Sequence, residues 1–126
     1  MEKFVKKNIV KEKSFKFAIR IVNLYRFLIL SQKEYVLPKQ LLRSGTSVGA
    51  LIFEAENAQS RSDFVHKLSI AQKEINETMY WLNLMVSTGY LSETEHQSIF
   101  TDAEEIKKLL TAIIKKLKAN PKSKEE

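Results

Sequence analysis

Four windows of the chain repeat apolar residues at spacings of three and four positions, which is the period of an amphipathic helix. The breaks between these windows are short and lie at 32–35, 59–62 and 88–91. No stretch alternates apolar and polar residues for long enough to form a strand. The sequence therefore predicts an all-α fold, and the short connections favour an antiparallel up-down-up-down four-helix bundle.

Capping residues place the ends of these helices. Glu95 follows Ser92 at the spacing of a capping box, in which each residue binds the backbone N–H of the other. Pro38 stands in the first turn of the second helix, where its missing N–H costs nothing, and Gly89 follows the end of the third. The predicted N-caps are Ser14, Ser60 or Ser62, and Ser92.

Length and composition bound the class of protein. A chain of 126 residues supports a single hydrophobic core, and the absence of cysteine excludes disulfides, thiolate zinc sites and thiol catalysis. The most apolar window, 15–30, contains charged residues and falls short of a membrane span of about 20 apolar residues. Without a signal-peptide core, we expect a cytoplasmic protein with no integral membrane association. It would consist of a basic N-terminal arm (1–13), a bundle domain (14–120) and a charged tail (121–126).

The first helix is more apolar than one subunit requires. At about 100° per residue its polar side chains fit within roughly 140°, which leaves roughly 220° apolar, about twice the width of a core-facing stripe. An exposed apolar surplus usually marks an interface, which favours a homo-oligomer. The alternative is that the basic arm folds over this surface. We expect the surplus at Phe17, Ile21, Leu24 or Leu28.

Small residues cluster in the second helix. A glycine inside a helix costs about 1 kcal/mol relative to alanine, so Gly45 and Gly49 indicate close approach of another helix, from the same subunit or from a neighbour. The small residues of this cluster are Ser44, Gly45, Ser47, Gly49 and Ala50.

Arg43 stands next to this cluster. Folding the second helix against the third brings Arg43 level with Glu74 and Glu77, which favours an Arg–Glu clamp, given the use of arginine in interface ion pairs. The alternative role of Arg43 is that of a phosphate ligand. Trp81 is interpreted as a core or subunit-contact aromatic.

Two short patterns imitate catalytic motifs. The run 45–49 matches G-x-S-x-G, but the nucleophile elbow needs a preceding strand and a partner acid and histidine. Glu93 and His96 match one Glu-x-x-His motif, whereas di-metal bundles use two such motifs and two further glutamates. We therefore expect no enzyme, with no catalytic residue, metal or cofactor, and a di-metal bundle enzyme remains a remote alternative.

The charge of the chain is unevenly distributed. The net charge is +6, and the segments 1–43, 44–106 and 107–126 carry +8, −7 and +5. In an up-down-up-down bundle the first helix starts at the pole where the last helix ends. The two basic segments would therefore meet there and attract a polyanion by counterion release. Lysines at a helix C-terminus can also simply complement the helix dipole, and lysine-rich tails often only solubilise.

Lysine outnumbers arginine here, and no aromatic residue interrupts the basic run 107–126, which indicates binding to RNA or DNA backbone without sequence reading. A protein–protein adaptor or scaffold is the alternative function, and an anionic lipid surface is a lower-ranked partner. The predicted nucleic-acid-binding residues are Lys3, Lys6, Lys7, Lys11, Lys13, Lys16, Lys107, Lys108, Lys115, Lys116 and Lys118.

Four runs of the sequence carry a family resemblance: KSFKFAIRIVNLYRFL, LLRSGTSVGA, EAENAQSRSDF and HKLSIAQKEINETMYWL. With them the chain resembles the four-helix bundle protein family, also called the 23S rRNA intervening sequence proteins. The resemblance covers roughly residues 9–117. It implies a cytoplasmic bacterial bundle, assembled as a cyclic homopentamer, with no catalytic residues. A similar bundle is the basic pentameric accessory protein of diversity-generating retroelements, which is an analogy of fold alone.

Overall fold

The computed structural model describes the backbone of residues 2–120 and the side chains of residues 9–120. No strand is present within residues 2–120, and the predicted all-α class is confirmed. A five-residue π-helix, Leu28–Gln32, continues the first α-helix. The four α-helices are α1 (Glu2–Phe27), α2 (Val36–Ala55), α3 (Arg61–Ser87) and α4 (Glu93–Ala119).

The predicted signals at the ends of α3 and α4 are confirmed. Ser60 caps α3, since its side chain accepts a hydrogen bond of 3.0 Å from the backbone N–H of Asp63. Ser92 and Glu95 form both hydrogen bonds of the capping box at the start of α4. Gly89 adopts a φ of 87°, a left-handed conformation that glycine reaches without strain, and thus allows the turn after α3.

The start of α1 differs from the prediction. The helix begins at Glu2, so residues 2–13 belong to it and form no separate arm. Ser14 is not an N-cap: it lies inside the helix, is 1% exposed, and donates a hydrogen bond to the carbonyl of Lys11. No glycine or proline interrupts the first residues, and Val10 is fully buried in the core, so the helical stripe continues through the predicted boundary. The predicted tail, 121–126, lies outside the described residues.

Apolar residues at spacings of three and four in α3 and α4 enter the core. Ile75 and Leu82 of α3 and Ile106 and Leu110 of α4 are at most 1% exposed. Thr78, which the apolar pattern had passed over, is also fully buried, and its hydroxyl oxygen lies 2.9 Å from that of the buried Ser44. The buried α4 residues are Ile99, Ala103, Ile106, Leu110, Ile113, Ile114 and Leu117.

The glycines of α2 allow α1 of the same chain to approach closely. A Cβ atom at Gly45 would lie 2.8 Å from the side chain of Ile21, and one at Gly49 would lie 3.2 Å from the carbonyl oxygen of Ser14. Both distances are shorter than ordinary van der Waals contact. The sequence left open whether the approaching helix belongs to the same subunit or to a neighbour. In the structure it belongs to the same subunit.

The apolar surplus of α1 lies elsewhere than predicted. Phe17, Ile21 and Leu28 are at most 1% exposed, and Leu24 packs against the core. Among the described side chains, the exposed apolar residues of α1 are instead Ile9, Phe15, Ile19 and Phe27, of which Phe15 and Ile19 are the most exposed, at 66% and 48%. The prediction was wrong in the choice of stripe because helical period alone does not say which of two apolar faces turns inward.

Polar contacts between the helices define their neighbours. Lys13 and Arg20 of α1 pair with Glu105 and Asp102 of α4, at 3.1 Å and 2.7 Å. Between α3 and α4, the Gln72 amide donates to Thr111 at 2.7 Å, and Asn83 lies 2.8 Å from His96. With the α1–α2 and α2–α3 contacts, each helix packs against two others.

Candidate nucleic-acid interface

The second half of α4 carries a set of free lysines, here called the α4 lysine face: Lys107, Lys108, Lys115, Lys116 and Lys118. All five are exposed, and the residues from 106 to 119 include no aspartate or glutamate. Within the described part of the chain, none of the five forms an ion pair. The face therefore presents uncompensated positive charge to solvent.

The lysines of α1 are placed differently. Lys11 pairs with Glu56 at 2.9 Å and lies 5.3 Å from the centre of the Phe53 ring. Lys13 pairs with Glu105 at 3.1 Å, and Lys16 with Glu12 at 3.5 Å. These contacts offset the charge of three of the lysines that the sequence assigned to a basic pole. The side chains of Lys3, Lys6 and Lys7 lie outside the described residues.

Arg61 ties the end of α4 to the start of α3. Its guanidinium donates to the carbonyl oxygens of Leu117 at 2.7 Å and Asn120 at 2.8 Å. These carbonyls lie at the negative end of the helix dipole, and hydrogen bonds from a positively charged group satisfy them. The contact fixes the lysine-bearing end of α4, and sequence reasoning did not identify it, since 56 residues separate Arg61 from Leu117.

Arg43 makes the ion pairs of the predicted clamp. Its Nη2 donates to Glu77 Oε1 at 2.8 Å, and its Nη1 lies 3.3 Å from Glu74 Oε1. The hydrogen bond from Arg43 lowers the pKa of Glu77 below its ordinary value, and the bond to Glu77 raises the pKa of Arg43. Since the Arg43 side chain is 51% exposed, the clamp leaves it accessible from solvent.

The other predicted interface residues surround this clamp. Trp81 is partly buried, and its indole N–H donates to Glu77 at 3.3 Å. Ser47 donates to the carbonyl of Arg43 at 2.6 Å. Tyr80 is 59% exposed and meets Trp81 edge to face, with ring centres 5.2 Å apart. The cluster is held by its own contacts, and it presents one open aromatic side chain.

The residues of the Glu-x-x-His motif make contacts within α4. The ring of His96 stacks on Phe100 at 4.8 Å, and Glu93 stands in the first turn of α4. Among the described residues, no group of three His, Asp or Glu side chains is arranged to hold a metal ion. Nor is any described helix both long and apolar enough to cross a membrane.

The exposed apolar residues are others than those that the sequence prediction named. Phe53 of α2 is 57% exposed beside Lys11, and Phe15 stands one turn after Lys11 on α1, so both belong to the α1–α2 surface. A second group surrounds the α1–α2 connection: Phe27, Leu30, Tyr35 and Val36. The available signal was the second apolar stripe of α1, at Phe15, Ile19 and Val22.

Within residues 2–120, the fold is all-α with four α-helices, and the last of them carries the α4 lysine face. The family model of the 23S rRNA-intervening sequence protein matches residues 6–112. The chain therefore belongs to the 23S rRNA-intervening sequence protein family, and the resemblance seen in the sequence is confirmed.

A crystal structure agrees with this assignment. It is that of a protein of unknown function of the S23 ribosomal protein family from Bacteroides thetaiotaomicron VPI-5482, at 1.70 Å resolution. The two chains are 60% identical, with a TM-score of 0.86, over 87% of this chain and 98% of the other. No curated protein matches this chain.

Proposed function

We propose that this protein is a non-enzymatic, cytoplasmic accessory protein that binds the backbone of RNA or DNA without reading sequence. The observation that carries the proposal is the α4 lysine face, because its five exposed lysines have no acidic partner among the described residues. Lysine is a compact, flexible point charge, suited to contacting phosphates rather than base edges. The lysines of α1 contribute less, since three of them already have carboxylate partners.

The proposed architecture is an antiparallel up-down-up-down bundle. Along α1 the contacts with α4 run in opposite order, from Lys13 with Glu105 to Arg20 with Asp102. The contacts with α2 do the same, from Ser14 with Gly49 to Ile21 with Gly45. The short connections between successive helices support the same topology.

We further propose that the bundle assembles with copies of itself. The supporting observation is the exposed apolar surface formed by Phe15, Ile19 and Phe53. Family resemblance favours a cyclic pentamer. A ring would repeat the α4 lysine face in every subunit and increase the field that a polyanion experiences.

The first test is a measurement of mass in solution by light scattering, with and without mixed-sequence RNA, at low and then at high salt. We expect an oligomer that gains mass with RNA at low salt and loses the RNA at high salt, since released counterions drive the binding. Binding that does not respond to salt would contradict the proposal.

A charge-matched pair of variants locates the interaction. In K107Q/K108Q/K115Q/K116Q the net charge falls by four on the α4 lysine face. In K39E/K73E it falls by the same amount on exposed positions of α2 and α3. We expect RNA binding to be lost in the first variant and retained in the second. Equal loss in both would show that net charge alone matters.

A protein–protein adaptor is the second candidate function. It is favoured by the exposed apolar group at Phe27, Leu30, Tyr35 and Val36, which stands apart from the lysines of α4. An oligomer that is indifferent to RNA, and whose complexes persist after nuclease treatment and depend on these apolar residues, would support the adaptor.

A further inference from the structure

The α4 lysine face is a straight array of charges on one side of a helix. At about 100° per residue, Lys107, Lys108, Lys115 and Lys118 fall within an arc of roughly 100°, and Lys116 lies roughly 80° beyond it. Lys107 and Lys118 are separated by about 16 Å along the axis, at 1.5 Å per residue. Arg61 holds the end of this helix in place. The array therefore lies on a helix whose C-terminal end is held by these two hydrogen bonds.

Aromatic side chains are absent from this half of α4. Residues 101–119 contain no phenylalanine, tyrosine or tryptophan, and Phe100 stacks on His96 nearer the start of the helix. The exposed aromatic side chains of the described residues belong to α1, α2, α3 and the α1–α2 connection: Phe15, Phe27, Tyr35, Phe53 and Tyr80. Among the described side chains, the array of lysines thus includes no aromatic surface on which a base could stack.

A lysine array without aromatic residues is suited differently to single-stranded and to double-stranded nucleic acid. Proteins that bind single strands combine a basic groove with aromatic platforms, and each stacked base contributes about 1–3 kcal/mol. A duplex hides its bases and carries about one negative charge per 1.7 Å of its axis, twice the density of one strand. A linear array of lysines is attracted more strongly to the denser charge of the duplex, and without aromatic residues it lacks what the single strand requires.

We propose that the α4 lysine face binds the phosphate backbone of double-stranded nucleic acid in preference to single strands. This inference rests on the proposed function and narrows its ligand to one form. Base edges take no part, so duplexes of different sequence bind alike. RNA and DNA duplexes share the recognised chemistry, and the experiment below separates them.

The test is a fluorescence anisotropy titration of the full chain with labelled 20-mers of unstructured sequence, as single strands and as duplexes of both RNA and DNA. We expect the duplex of at least one nucleic acid to bind at least about tenfold more tightly than its own strands. Each lysine that neutralises a duplex phosphate contributes about −0.9 to the slope of log K against log salt. The variant K107Q/K108Q/K115Q/K116Q loses four of these lysines. Its slope should therefore be less negative by about 3 to 4 for every subunit whose α4 lysine face contacts the duplex.

The outcomes separate the two proposals. Single strands that bind as tightly as duplexes, or more tightly, would overturn the duplex preference and leave the proposed function standing. The absence of salt-dependent binding to any of the four probes would overturn both. A duplex preference that survives in K107Q/K108Q/K115Q/K116Q and disappears in K39E/K73E would overturn the assignment to α4. Circular dichroism of both variants, with unchanged helix content, shows that folding is not the cause.

Discussion

The two apolar stripes of α1 have opposite environments. Phe17 and Ile21 are at most 1% exposed in the core, whereas Phe15 and Ile19 on the other side are 66% and 48% exposed. The two sets are chemically alike and share the helical period. The α2 glycines account for the difference in part, because Gly45 leaves room for Ile21 against the backbone of α2. Helical period alone therefore does not decide which of two apolar stripes enters the core, and the surface of the neighbouring helix contributes to that choice.

The largest effect on folding is expected from shortening a side chain of the inward stripe. Ile21→Ala removes a fully buried side chain and leaves a cavity against Gly45. We expect a loss of about 2–5 kcal/mol in the free energy of unfolding, measured by denaturant titration. A loss of under about 0.5 kcal/mol, as expected for a surface position, would contradict the assignment of Ile21 to the core.

A smaller effect is expected from Gly45→Ala, which presses on the same side chain. The added Cβ would lie 2.8 Å from Ile21, and overpacking of about 1–3 kcal/mol is partly offset by a gain in helix propensity of about 1 kcal/mol. We expect a net destabilisation of up to about 2 kcal/mol. In the Ile21→Ala background the same change should become neutral or stabilising, since the cavity accepts the methyl group. Additive effects of the two changes would argue against the contact.

The exposed ion pairs should contribute less than either packing change. The bond from Arg43 lowers the pKa of Glu77 in the folded chain, so the pair stabilises the fold above the ordinary pKa of glutamate. This stability is lost as the pH falls through the lowered pKa. Glu77→Gln should cost under about 1 kcal/mol at pH 7 and less at pH 3, where the carboxyl of the unfolded chain is protonated. Urea titrations of both proteins at the two pH values measure this, and a difference independent of pH would contradict it.

The smallest effect on the folded subunit is expected from the outward stripe. Phe15→Ser combined with Ile19→Ser changes exposed positions, so helix content by circular dichroism should remain unchanged. If this stripe joins subunits, the mass in light scattering should fall. Val36→Ser removes a side chain that is 70% exposed at the start of α2 and serves as the matched control, with no expected change in mass. An unchanged mass in the double variant would place self-association elsewhere.

Most of the secondary structure could be predicted because its signals are local. The Ser92–Glu95 capping box, the Ser60 cap and the turn at Gly89 each depend on residues within a few positions, and all three are present. The start of α1 was missed because Ser14 resembles a cap by type alone. Its burial depends on Gly49, 35 residues away in the sequence.

The candidate site was predictable in its residue types but not in its charge balance. The sequence placed lysines in both α1 and the end of α4. Only the fold shows that Glu56 and Glu105 pair with Lys11 and Lys13, whereas the lysines of α4 have no such partners among the described residues. Ion pairs between distant positions carry no periodic signal, since they depend on which helices become neighbours.

The sequence by itself determined the all-α class, the four helices, most of their ends and the family, because period, capping and turn residues act over a few positions. The tertiary structure alone decided which stripe of α1 turns inward, that the glycines of α2 receive α1 of the same chain, and which lysines remain free. These features depend on close packing and charge pairing between segments that are far apart in the chain. Such contacts exist only once the helices have packed together.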